Sequence, residues 1–413
     1  MQGAQVCVYH KGKPAASVCC GVLGKTDPRP VAPDTLFCAF SVTKGAIATL
    51  LHMLVERAGK SLGYDDKVTE MWSEFGCEGK EETTIKHILC HQAGLQHALP
   101  PKLGLAELGD CDKCAAHLAS AKPLYPPTEE RSSYHYFTFG WLVGELCRRL
   151  DVDGRSVEKI LADEIAGPLD IADEFMIGIG DRDGVDSGRL ATLSSSMVAG
   201  RNAARREEIE ELIKGVELEA EATRADGKVK GGVLPKLKQE AQAVGALLSS
   251  LKGREYLADP RIFNSEELRR AVVPAANGHF SARGLAKFYA ALAGHGQLNG
   301  IRLLSSERMA AVQREWAQET GADRMWGSSG TTSWGLGYHR YAFVADGEGA
   351  VGADDGAAAF GHAGIGGSIG LCDPARELAV AVTVNHLTGS RAVAKRVMAL
   401  VAEELRLGGR YDL

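Results

Sequence analysis

The sequence predicts an α+β fold: one antiparallel sheet flanked by helices, a separate helical lobe, and an active site between them. Three observations lead there. Strand-like segments open the chain, at 5–9 and 16–21 around the turn His10-Lys-Gly-Lys13, and return after Ser333. Between them apolar residues recur with helical spacing. At 413 residues the chain is also long for a single core. Strands at both ends with helices between imply that the two ends share one sheet and that the helical middle forms a separate lobe. We therefore expect a discontinuous sheet lobe from 1–60 and 275–413, and a mainly helical lobe from 61–274.

Composition removes several function classes. The chain is 45% hydrophobic and 24% charged, with a net charge of -6, so no basic surplus points to nucleic acid. The apolar stretch 46–55 is interrupted by Thr49 and His52 and is too short to span a membrane. The first residues lack the basic start and apolar run of a secretory signal. With Met1 as the true start, the expected location is the cytoplasm, where the 10 cysteines stay reduced. No sequence feature demands a cofactor, and the oligomeric state is not legible.

Taken in order, the hairpin is followed by the proline-rich link Asp27-Pro-Arg-Pro-Val-Ala-Pro33 and then Thr35-Leu-Phe-Cys-Ala-Phe-Ser41-Val-Thr-Lys44-Gly. An amphipathic helix carrying Ala46, Ile47, Leu50, Leu51 and Leu54 should run from there to about Gly59. Further helices are expected at 84–91, 105–122, from the loop at Tyr134 to Leu150, and at 155–165. Residues 201–252 are rich in Glu, Lys, Arg and Ala and read as a charged surface insertion. Helices follow at 265–272 and at 281–293, the latter with Ser281 as N-cap. Strands 333–338, 359–371 and 378–384 and a closing helix at 393–405 complete the chain.

Ser41 is the first chemical candidate. Serine is a weak nucleophile and needs an activating neighbour. Residues three apart on a helix lie roughly 5–6 Å apart, so Lys44 would stand beside the Ser41 hydroxyl. Lysine at its ordinary pKa of about 10.4 is a poor base, and burial or a nearby cation must lower it. Tyr134, in a polar loop ahead of an apolar helix, is a candidate to share the proton. The pattern Ser-x-x-Lys alone is cheap: Ser249-x-x-Lys252 repeats it inside the insertion.

Two rival readings carry less weight. Gly366-Gly-Ser368-Ile-Gly370 matches a nucleophile elbow, but that elbow needs a helix after the serine, and a β-branched run follows instead. Its glycines read better as points that let two strands approach a substrate closely. Cys111-x-x-Cys114-x-x-His117 has zinc-like spacing but no fourth ligand, so we read it as positions of one amphipathic helix and expect no metal.

Jointly, Phe-Ser41-Val-Thr-Lys44-Gly, His87-Ile-Leu-Cys-His91-Gln-Ala-Gly-Leu95, Tyr134-His-Tyr and Phe360-Gly-His362-Ala-Gly364-x-Gly-Gly resemble the class C serine β-lactamases and penicillin-binding-protein-like hydrolases, in their esterase branch. Pro274-Ala-Ala-Asn-Gly-His ahead of a helix fits the same order. The resemblance implies the β-lactamase/transpeptidase-like fold and a serine hydrolase of carboxylesterase, β-lactamase-like or D-aminopeptidase-like type. It makes Ser41 the acylated nucleophile, Lys44 its proton partner and Tyr134 the general base and later acid. His362 takes the place of a family lysine, Gly364 lets substrate lie along its strand, and the N–H groups of Ser41 and Ile365 form the oxyanion hole. Substrates would be small esters, amides or peptides. Two departures, Tyr136 in place of an asparagine and His362 in place of lysine, argue against an efficient antibiotic lactamase. If His362 steers substrate by charge, activity toward anionic substrates should rise below about pH 6.5. The alternative is a non-catalytic binding or scaffold protein on the same fold.

Overall fold

The computed structural model describes residues 2–181, 188–196, 253–314, 316–318, 333–345, 359–388 and 390–413. The framing elements, in chain order, are β1 (Ala4–His10), β2 (Lys13–Cys20), α1 (Val42–Arg57), α2 (Cys111–Ser120), α3 (Thr138–Leu150) and α4 (Ala282–Ala293). Then come β3 (Ala317–Gln318), β4 (Ser333–Gly335), β5 (Tyr338–Tyr341), β6 (Ala359–Ala363), β7 (Ile369–Asp373), β8 (Leu378–Val384) and α5 (Ala392–Glu404). The insertion at 201–252, with its Ser249-x-x-Lys252, lies outside the described residues.

The sheet has eight strands in the order β2-β1-β8-β7-β6-β5-β4-β3, all neighbours antiparallel. Its decisive pairing joins the two ends of the chain, with Ala4 opposite Val384 and His10 opposite Leu378. The opening hairpin turns on Lys11 and Gly12, both at positive φ (50° and 71°), the backbone that a two-residue hairpin requires. All seven residues of β8, Leu-Ala-Val-Ala-Val-Thr-Val, are buried because the strand is covered on both faces. Val380, Val382 and Val384 join Ala394 and Met398 of α5 on one face. The small Ala379 and Ala381 belong to the core of the other face, with Leu285, Phe288 and Tyr289 of α4.

Helix α1 departs from its expected amphipathic character. Every residue from Val42 to Val55 is buried, because α1 runs between the sheet and the helical lobe, against both β6 and α3. Its polar residues are satisfied locally. Thr49 Oγ1 bonds to Gly45 O and to Tyr338 Oη, and the ring of His52 bridges Leu336 O and the Tyr64 hydroxyl.

Two other helices differ from expectation. The segment 105–122 is split at Gly109 into Leu105–Leu108 and α2, because the Asp110 side chain accepts from Lys113 N and caps a new helix. The 155–165 segment is α-helical over Val157–Leu161 and continues as a π-helical turn, Ala162–Ala166. Ser281 does cap α4, its Oγ accepting from Gly284 N at 2.9 Å. No helix among the described residues is long and apolar enough to cross a membrane.

Candidate active site

Ser41 is delivered by the short strand Phe37–Cys38, which pairs with Gly278–Phe280. Ala39 N donates to Gly278 O, and Phe40 then turns the chain with φ +50°, a strained value for a bulky side chain. Thr43 holds this turn from within α1. Its Oγ1 donates to Phe40 O and accepts from Gly278 N. Ser41 is thus the N-cap residue of α1, 6% exposed, and its side chain caps nothing. Its hydroxyl is left for chemistry.

Lys44, one turn on, is fully buried. Its Nζ lies 2.7 Å from Tyr136 O, 3.1 Å from Ala275 O and 3.2 Å from Ser41 Oγ. Burial among groups that carry no counter-charge holds its pKa well below the ordinary lysine value. The two carbonyls can only accept, so each takes an N–H of Lys44, whose Nζ also donates to Ser41 Oγ. Tyr136 contributes its main-chain carbonyl to this site.

Tyr134 stands in the loop ahead of α3, with Lys44 Nζ 4.9 Å from its ring centroid. That loop is fastened to the 84–95 segment through His91, itself at φ +59°. Ser133 N donates to His91 O, and His135 N donates to His91 Nδ1 at 3.0 Å. Leu95 N donates to His135 Nε2, while His135 Nδ1–H reaches Ser133 O. The motif from His87 to Leu95 thus works as a clamp on Tyr134.

His362 and Gly364 arrive on the end of β6. Gly364 is packed so closely behind Ser41 that an added Cβ would lie 2.2 Å from Ala39 O. Ile365 follows, half-buried. His362 is fully buried, and its Nδ1 is 2.9 Å from Ala363 O. A carbonyl only accepts, so Nδ1 carries the proton and Nε2 of the neutral ring is a bare lone pair with no partner. Burial, the largest cause, holds its pKa well below 6.5. The expected gain of charge just below pH 6.5 is therefore corrected: the ring stays neutral there.

The sequence reading missed an aromatic wall beside these groups. The Tyr134 ring stacks on Trp334 at 5.7 Å and 17°. Trp334 meets His91 at 4.3 Å and His339 at 4.4 Å, and His339 meets His362 at 4.2 Å. Trp334 and His339 face each other across the β4–β5 hairpin, a pairing that no local pattern announces. Ser368, by contrast, is structural. It is 1% exposed, its Oγ accepts from Val384 N at 3.1 Å, and strand β7 follows it.

Cys111 and Cys114 give their thiols to Val272 O and Glu107 O. Among the described residues no group of three or more His, Cys, Asp or Glu side chains could hold a metal ion.

Comparison with known proteins places the chain in a family. The Beta-lactamase family model matches residues 1–403. The esterase/β-lactamase LipL of Mycobacterium tuberculosis is 30% identical over 398 residues, 93% of this chain and 77% of that protein. The crystal structure of a family VIII carboxylesterase aligns with TM-score 0.73 at 26% identity, covering 95% of this chain and 90% of that one. A penicillin-binding-protein homologue from Caulobacter crescentus aligns with TM-score 0.69 at 29% identity over the same shares. The chain belongs to the Beta-lactamase family and is a serine hydrolase of the β-lactamase-like type.

Proposed function

We propose that the protein cleaves uncharged esters, and secondarily small amides or peptides, through an acyl-enzyme on Ser41. The observation that carries this reading is the double capture of Lys44 Nζ by Tyr136 O and Ala275 O, with Ser41 Oγ as the third neighbour. Neutral Lys44 takes the Ser41 proton as Oγ attacks the scissile carbonyl. Tyr134, over whose ring Lys44 lies, passes a proton to the leaving group and then helps activate the deacylating water. The N–H groups of Ser41 and Ile365 receive the oxyanion, each donor of such a pair contributing ~10²–10³ in rate.

His362 sets the substrate class in this reading. A neutral ring offering a lone pair repels a substrate carboxylate and accepts from an O–H or N–H. Esters whose acyl group carries a hydroxyl or amide N–H are the best match, and carboxylate-bearing β-lactams the poorest. A fluorophosphonate probe tests the mechanism. Stoichiometric labelling at Ser41, lost in Ser41→Ala, is expected. Folded protein that resists the probe would turn the reading toward the non-catalytic alternative.

A further inference from the structure

A second cavity, of about 500 Å³, lies between α3, the first residues of α2, the start of Val157–Leu161 and the 270–274 segment. Ser41, Lys44, Tyr134 and His362 do not line it. Its volume falls in the range of small-molecule sites, ≈ 300–1,000 Å³. Its place is what matters. The two carbonyls that hold Lys44 Nζ continue directly from its walls: Tyr136 stands just ahead of α3, and Ala275 follows Pro274. The walls also touch. An added Cβ on Gly140 would lie 2.4 Å from Ala275 N, so α3 rides directly on that backbone. A Cβ on Gly144 would sit 3.6 Å from Pro274 Cγ, in ordinary contact.

The lining indicates what would fit. Trp141 is 1% exposed; its indole N–H is buried, without a hydrogen-bond partner among the described residues, so the ring meets the cavity by its apolar part. Most charges in the lining are engaged: Arg148 by Glu145, Asp110 by Lys113, and Arg270 by Glu266. Asp112 and Glu158 enter no ion pair among the described residues, so the unbalanced charge is negative. Trp141, Gly144 and Pro274 give an apolar surface for a flat body.

We propose that this cavity is an effector site for a small organic cation with a flat apolar body, and that its occupancy resets the spacing of the two carbonyls that hold Lys44. The coupling rests on the reading of Lys44 as the proton acceptor of Ser41; the binding does not. A ligand seated between α3 and the 272–274 backbone moves Tyr136 O relative to Ala275 O. That changes how well the neutral amine is held, and so its readiness to take the proton.

Calorimetry on full-length Ser41→Ala protein tests the binding, with N-(2-aminoethyl)benzamide as the probe and N-(2-hydroxyethyl)benzamide as its uncharged counterpart. Saturable 1:1 binding of the amine is expected at millimolar affinity or better, weaker by about tenfold in the Asp112→Asn/Glu158→Gln double variant. The uncharged counterpart should show a similar loss. Gly144→Leu fills the cavity and should remove binding; the double variant, altered at the exposed Asp112 and the half-buried Glu158 without change of side-chain size, keeps the test decisive if Gly144→Leu fails to fold. No saturation up to about 20 mM, or equal affinity in both variants, overturns the site.

The coupling is read separately, in wild-type protein, as the pH midpoint of fluorophosphonate labelling at Ser41. A saturating concentration of the amine should move that midpoint, and should leave it in place in Gly144→Leu. Binding with an unmoved midpoint overturns the coupling. Binding in a protein that never labels overturns the acyl-enzyme reading and leaves the site standing.

Discussion

The Nζ of Lys44 lies 3.2 Å from Ser41 Oγ while two main-chain carbonyls, from residues far away in sequence, occupy its other hydrogen-bond directions. Neither carbonyl can take part in chemistry, so the geometry turns the amine's one reactive direction toward the serine. Ser41→Ala and Lys44→Met should each lower kcat/KM for a chromogenic ester by about 10³ or more, without additivity in the double variant. Because burial depresses the Lys44 pKa, the rate should rise with pH through a value well below that of ordinary lysine, 10.5, and then level. A rate still climbing toward pH 10 would mean that Lys44 is charged at neutral pH.

His362 gives a second prediction. Its pKa lies well below 6.5, so the ring does not change charge between pH 6 and 8, and selectivity between neutral and anionic esters should be flat there. His362→Lys restores a cation at the end of β6. It should shift kcat/KM toward a succinyl half-ester over the matching butyryl ester by about tenfold, the scale of one charge-assisted contact. Parallel assays of the two esters across that pH range would read both effects.

Two small residues of the same glycine-rich turn should behave oppositely. Gly364→Ala forces a Cβ against Ala39 O and pushes β6 away from Ser41. A shift of about 1 Å there should cost roughly 10²-fold in kcat. Ser368→Ala removes an acceptor from Val384 N instead. It should cost about 1–3 kcal/mol of stability while most of the activity remains, as denaturant melts and steady-state assays would show.

Buried neutral histidines predict acid lability. His52 and His135 are pushed down to about 3 and His279 to about 4, all by burial first, and His91 and His362 also lie well below 6.5. Above pH 6.5 these rings are neutral in both folded and unfolded chains and contribute no pH dependence. Below it the unfolded chain binds protons that the folded chain does not, so stability falls as pH falls. Each ring contributes up to about 1.4 kcal/mol per pH unit in that window. Circular dichroism should show cooperative unfolding between about pH 6 and 5. His135→Gln, which can keep both ring contacts without a titrating group, should lower that midpoint.

Much of the frame was legible because it rests on local patterns. The hairpin follows from strand periodicity around Lys11-Gly12, and α4 starts at Ser281 because a serine caps it. Its small-residue strand partner β8 reads as a buried run. Helix α1 was legible as a helix but misjudged as amphipathic, because burial on every side depends on what packs against it. The break at Gly109 was missed for a similar reason: Asp110 as a cap decides it, against an otherwise continuous apolar pattern.

The sequence by itself determined the candidate nucleophile and its neighbour, since Ser41 and Lys44 share one helical turn and need only α1 to meet. The close approach of β6 at Gly364, where an added Cβ would meet Ala39 O, only the structure showed. Tertiary structure alone decided the state of those groups. Tyr136 O and Ala275 O converge on Lys44 only when α3 and the 270–275 segment pack together, and that burial lowers the pKa of the amine. The same holds for His362, whose tautomer depends on a single carbonyl and whose neutrality depends on burial beside Lys44 and Arg391. Residue identity supplied the reactive atoms; their protonation is a property of the packed environment, and that exists only in the folded chain.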